Sequence, residues 1–307
     1  MFAVLSKKGR YIHAVPFPWK VSIVAFMAHP LLMKNDLQSS LEAIRVLTND
    51  PFFDMIEVNL LSDDVWRQLE PVIKNSGVDL AIGLQPMTTA QGYNPASIVE
   101  QKRKEAVEAL SQAIRKAAER GVRKVGFSSG ADPGPDNREA AKDSLVKSLK
   151  ELAAFSSKLG VSLILETFDR DWDKRQLIGP IREAVSVVEE VRQEYNNIGL
   201  LWDLSHAPML GESPEDLKIA RNYLSHIHIG CTKKLPDGKL MDWHPGFYRP
   251  GAINGVEEVS HLLKVLDEIN YVGAIGFEVK PEEGQHWREV VEAAKGVLYT
   301  AFAKLVF

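Results

Sequence analysis

Gly160–Phe168 reads GVSLILETF, and Gly199–His206 reads GLLWDLSH. Each stretch is an apolar run that ends in a carboxylate, Glu166 in the first and Asp203 in the second. Neither alternates polar with apolar residues, so each predicts a strand buried on both faces, as in a parallel sheet covered by helices. Between them, Glu183–Tyr195 repeats apolar residues at helical steps. Strand, helix and strand in that order make a βαβ unit.

The same unit recurs along the chain. Further strand candidates are Val21–Ala28, Met55–Leu60, Asp79–Leu84, Lys124–Ser128, Leu224–Ile229 and Ala274–Val279, which brings the total to eight. Asp36–Leu47, Asn94–Ala118, Asn137–Leu159, Val256–Ile269 and Gly284–Leu305 carry helical period. Gly121, Gly160 and Gly273 stand where helices would stop before strands. Eight alternating units predict an α/β fold, a (β/α)8 barrel in a single domain. Residues 21–307 would form the barrel and residues 1–20 a short N-terminal arm. A doubly wound open sheet would want a glycine-rich phosphate turn after its first strand, and here that strand runs into MAHP.

Composition narrows the function. The 307 residues include 37 Lys+Arg and 41 Asp+Glu, a net charge of −4. Such a surface does not draw phosphate polymers over long range, so no nucleic-acid partner is expected. Cys231 is the single cysteine, which excludes an internal disulfide and suggests a reducing, cytoplasmic setting. No apolar run approaches the roughly 20 residues of a membrane helix, and MFAVLSKKGR is too short in apolar residues for a secretory signal.

The chemistry collects at strand ends. Glu166, Asp203 and Glu278 end apolar runs, and His226 and His228 lie in SHIHIG. On a barrel these ends share one rim. Three unpaired carboxylates on a buried edge are costly and raise one another's pKa. A divalent cation relieves both effects, and two Glu, one Asp and one His suit Mn²⁺, Co²⁺, Mg²⁺ or Zn²⁺. His226 and His228 share one side of their strand. His228, nearer the rim, is assigned to the metal, and His226 to a supporting role.

The ordered set ETFDR (166–170), WDLSH (202–206), HIHIG (226–230), DWHPG (242–246) and FEVK (277–280) resembles the xylose isomerase-like TIM-barrel superfamily. That superfamily joins sugar isomerases and epimerases with endonuclease-four type AP endonucleases, and the resemblance runs from about Val21 to the C-terminus. It implies that Glu166, Asp203, His228 and Glu278 share one metal, and that His206 contacts substrate. Asp242 and His244 match a D-x-H element of the family. The implied reaction is proton abstraction next to a carbonyl through a metal-stabilised enediolate, with Glu166 and Glu278 as the acid/base pair. The substrate would be a small ketose or keto sugar acid. A homo-oligomer is common in such families.

The chain departs from the ketose 3-epimerase pattern at two places. Six positions after Glu166 it has Trp172 in place of a second glutamate, and six after His228 it has Lys234 in place of arginine. Lys234, His244 and Arg249 are taken as further substrate-contact candidates. Together with Arg170, Lys174, Arg175, Lys233 and Lys280, the loop cations read as solvated charge or as holders of a carboxylate or phosphate. Cys231 is expected to line the site. Two alternatives stand beside the isomerase. An AP endonuclease-like phosphodiesterase could build a second metal site from His206, Asp242 and His244, but it lacks histidines at the third and fourth strand ends, LQPM and FSSG. A non-catalytic sugar-binding barrel would be expected to lose one of the paired glutamates.

Overall fold

The computed structural model describes residues 2–8, 10–34 and 36–307. The chain opens with an antiparallel hairpin, β1 (Ala3–Lys8) and β2 (Tyr11–Pro16), in which Ala3 pairs with Pro16. Eight parallel strands follow: β3 (Lys20–Val24), β4 (Met55–Asn59), β5 (Asp79–Gly83), β6 (Lys124–Ser128), β7 (Ser162–Glu166), β8 (Ile198–Asp203), β9 (Leu224–Ile229) and β12 (Ala274–Phe277). They close in sequence order, with β12 pairing both β3 and β9. The fold is a (β/α)8 barrel. Two short strands, β10 (Lys233–Lys234) and β11 (Leu240–Met241), pair within the long loop after β9.

The outer layer comprises α2 (Leu37–Thr48), α3 (Asp63–Ser76), α5 (Glu100–Glu119), α6 (Arg138–Ser157), α7 (Ile181–Arg192), α9 (Val256–Glu268) and α10 (Trp287–Val306). Each buries one stripe against the strands, such as Leu145, Leu149 and Leu152 of α6. One-turn helices α1 (Ala25–Ala28), α4 (Gln85–Thr89) and α8 (Ala207–Leu210) follow β3, β5 and β8 directly and shape the rim. At the other end Phe2 of the hairpin stacks on Phe17 and Phe52, with centroids 4.7 and 4.6 Å away, and Phe17 meets Phe302 of α10 edge-on. Among the described residues no helix is long and apolar enough to cross a membrane.

Three elements differ from the sequence reading. The apolar run Val21–Ala28 is strand only to Val24. Its second half is α1, also buried, and an apolar run alone does not tell a strand from a buried helical turn. The helical pattern does not single out α3, because Pro71 interrupts it. The helix keeps Val65, Trp66, Leu69 and Ile73 buried and loses only the one backbone donor that proline lacks. The segment from Asn94 is a turn, with Ala96 N–H donating to Asn94 Oδ1, and α5 starts at Glu100.

Candidate active site

Glu166 ends β7, Asp203 ends β8, His228 lies on β9, and Glu278 follows β12. Parallel pairing sets Asp203 beside His228 and His228 beside Gly276. The strand register therefore carries these side chains to the C-terminal rim, as a barrel of this kind does. Each of the four offers a ligand atom, and these atoms all lie within 4.8 Å of one another.

Glu57, on β4, lies beneath them. It is a buried carboxylate in the middle of the strand MIEVN. Ser22 Oγ donates to its Oε1 at 2.6 Å, and His226 Nε2 donates to the same oxygen at 2.9 Å. His228 Nε2 reaches its Oε2 at 3.1 Å. Burial would raise the Glu57 carboxyl, but His226 and His228 outweigh it and hold it well below the usual range. This network needs room between strands. A Cβ on Gly276 would stand 2.7 Å from Glu57 Oε1 and 2.9 Å from His228 Cδ2. Only glycine lets these groups meet across β12.

With His228 Nε2 on Glu57, Nδ1 faces the rim, 2.7 Å from Glu278 Oε2. Burial would lower this imidazole, but Glu57 and Glu278 raise it well above its usual value, so a proton lies between Nδ1 and Glu278, in the place that a metal ion would take. Asp203 Oδ2 is buried without a hydrogen-bond partner among the described residues, while Oδ1 accepts from Ser205 N–H at 2.7 Å. A buried orphan oxygen beside two carboxylates and an imidazole fits a divalent cation, and the O/N donor set matches.

The two glutamates occupy unlike environments. Burial, then the charge of Glu278, pushes Glu166 up to about 8. Burial would also raise Glu278, but His244 and His228 flank it and hold it down to about 2. Gln85 Nε2, at the start of α4, donates to Glu166 Oε2 at 2.7 Å and fixes the carboxylate plane.

Beside this set, Asp203, His206 and His244 form another cluster of ligand atoms, with Asp242 in contact. His206 Nδ1 donates to Thr167 O at 2.8 Å, which turns Nε2 toward Asp242 Oδ1 at 3.3 Å. His244 Nε2 lies 2.5 Å from the same oxygen. Burial would raise Asp242, but His244 and His206 hold it well below its usual value. Burial lowers the His244 imidazole, yet Glu278 and Asp242 bring it up to about 9. His244 has φ +54°, a left-handed conformation that costs a non-glycine residue about 1–2 kcal/mol.

A cavity of about 250 Å³ opens over Glu57, Glu166, His228 and Glu278. Phe26, Met27, Met33, Phe168 and Trp243 supply apolar walls, and Gln85, Lys174, Asp242, His244 and Lys280 supply polar groups. Placement of the other candidates varies. His206, expected to contact substrate, is buried behind Phe168, whose ring centroid is 4.6 Å away, and does not line the cavity. Lys234 is exposed on β10, and Arg249 turns toward Glu282 at 3.7 Å; neither lines the cavity. Trp172 is also outside it, its indole donating to Met209 O at 3.0 Å. Cys231 is not a lining residue. It is fully buried against Asn254 O, and burial pushes its thiol up to about 12. Sequence reasoning missed Glu57 and Gln85. A charge inside an apolar strand signals the first, and a polar residue just past a strand end signals the second.

An inosose isomerase of Bacillus licheniformis is 29% identical over 147 residues, 47% of this chain and half of that protein. The D-psicose 3-epimerase of Clostridium cellulolyticum, solved with D-tagatose, superposes with a TM-score of 0.66 at 19% identity, covering 93% of this chain and 98% of that one. The IolI protein, solved with a zinc atom, superposes with a TM-score of 0.71 at 19% identity, covering 93% and 99%. These relatives are sugar isomerases and epimerases, or share their fold. Residues 42–300 match the family model described as xylose isomerase-like TIM barrel, and the chain belongs to that family.

Proposed function

We propose that this chain is a divalent-metal-dependent isomerase or epimerase acting on a ketose or keto sugar acid. The observation that carries the reading is the convergence of Glu166, Asp203, His228 and Glu278 within 4.8 Å, three of them lining the cavity and Asp203 buried beside them. When bound, a divalent cation would polarise a substrate carbonyl and its neighbouring hydroxyl as a Lewis acid. Glu57 engages His228 Nε2 and so turns Nδ1 toward the place of the cation. Glu166 and Glu278 rise from β7 and β12, with β8 and β9 between them, so they flank a substrate from two sides. One takes a proton from the carbon next to the carbonyl, and the other returns one from the opposite face. Their opposed environments suit an acid and a base that act together. His244, which lines the cavity, orients a hydroxyl group, His206 supports Asp242 from behind, and the apolar walls exclude water.

The test is solvent-deuterium exchange into a panel of ketoses and keto acids with Mn²⁺, Co²⁺, Mg²⁺ or Zn²⁺. Wild type incorporates deuterium next to the carbonyl, and Glu166→Gln and Glu278→Gln do not. Exchange retained in either variant removes that residue from the pair. Cleavage of abasic-site DNA with zinc, in the absence of exchange, would replace the reading with the phosphodiesterase.

A further inference from the structure

Above its carboxylate floor the cavity changes sign. Lys280 and Lys174 both line its upper wall. Lys280 stands two residues past Glu278 on an extended segment, so the two side chains share a side, while Val279 between them is buried. The segment is tied down: Lys280 N–H donates to His244 O at 2.7 Å, and Lys280 bridges Pro245 in parallel.

The Lys280 ammonium lies 3.3 Å from the centroid of the Trp243 ring. It makes no ion pair among the described residues, although it is partly buried. A ring face orients an ammonium without cancelling its charge and leaves its N–H donors for a ligand. The nearby carboxylates are otherwise engaged. Glu282 pairs with Lys233 at 2.7 Å, and Asp173 with Lys174 at 2.9 Å. The Asp242 carboxylate is held by His206 and His244 through Oδ1 and by Lys174 at 3.5 Å through Oδ2.

We propose that Lys280, held on Trp243 with Lys174 beside it, is a subsite for an anionic group, carboxylate or phosphate, at the end of the substrate remote from Glu166 and Glu278. The assignment of the remote end rests on the function proposed above; the anion site itself does not. The preferred substrate is then a keto acid or a phosphorylated ketose.

The test uses three ligands on one carbon skeleton: D-fructose, D-fructuronate and D-fructose 6-phosphate, which differ only at the terminal carbon. Binding to the manganese-loaded protein is followed by calorimetry for wild type, Lys280→Met and Lys280→Arg. Methionine keeps the stem on the ring and removes the charge. Wild type is expected to favour one anion over fructose by about tenfold, Met to reduce that preference to about twofold, and Arg to retain it. The better anion tells uronate from sugar phosphate. Equal affinity for fructose, no detectable binding of either anion, or a preference that survives in the Met variant overturns the proposal. The readout needs no turnover, so anion preference without deuterium exchange would fault the proposed reaction, and exchange without anion preference would fault only the subsite.

Discussion

A side chain on Gly276 would collide with Glu57: a Cβ there stands 2.7 Å from Oε1. The gap left by this glycine lets a carboxylate of β4 reach the imidazoles of β9 past two intervening strands. Gly276→Ala is expected to cost about 1–3 kcal/mol as an overpacked core site. It should also weaken Mn²⁺ binding, because Glu57 and His228 must shift. Urea unfolding and a metal titration measure the two effects. An alanine variant as stable and as tight as wild type would show that the neighbours yield freely.

Glu57→Gln keeps the volume of the side chain and removes the charge that fixes both histidines. Losing a partner of a metal-ligating imidazole lowers metal affinity by about 10–100-fold, and that drop is expected here. Calorimetric Mn²⁺ titration measures it, with circular dichroism confirming the fold. Unchanged affinity would mean that His228 is oriented by something else.

Gln85→Leu strips Glu166 of its only side-chain donor among the described residues. A hydrogen bond to a charged group is worth about 1.5–3 kcal/mol, so deuterium exchange should slow by about 10–100-fold with metal binding largely kept. Loss confined to metal affinity would instead make Gln85 a support for the cation alone.

Cys231 is predicted to be inert. Burial lifts its thiol from an ordinary 9.0 up to about 12. At pH 9 the unfolded chain is about half ionised at this residue and the folded chain about a thousandth, so alkylation by iodoacetamide should be about 500-fold slower in the folded than in the unfolded protein. The folded state binds the extra proton between pH 9 and 12. The contribution to stability is thus complete below pH 9 and is lost as pH rises through that window. Cys231→Ala should show a shallower alkaline fall in a pH series of denaturant melts. Rapid labelling of the folded protein at pH 9 would contradict the burial argument.

The barrel and its rim carboxylates are readable in one dimension because each strand is a short apolar run and each chemical residue ends one. Glu166 and Asp203 need only that observation. Glu57 is not readable in the same way. Its partners lie about 170 residues away, and only the closing of β12 onto β3 brings them together. Gln85 acts from the first turn of α4, beyond the strand end that the pattern marks. Lys234 and Arg249 show the opposite error. Counting positions along a loop fixes no direction, and the β10–β11 pairing turns Lys234 to solvent. Lys174, from the same pool of loop cations, enters the cavity because Asp169 gathers the N–H groups of Trp172, Asp173 and Lys174 and folds that loop inward.

The tie between Lys280 N–H and His244 O is reinforced by Lys233 with Glu282. The loops after β9 and β12 are therefore stitched into a single rigid jamb. A bulkier ligand cannot gain width from that flank. It has to press on the facing threshold, where Met27, Met33, Thr89 and Ala90 offer small or pliable side chains, so selectivity for substrate length is open to tuning there without disturbing a single charged group.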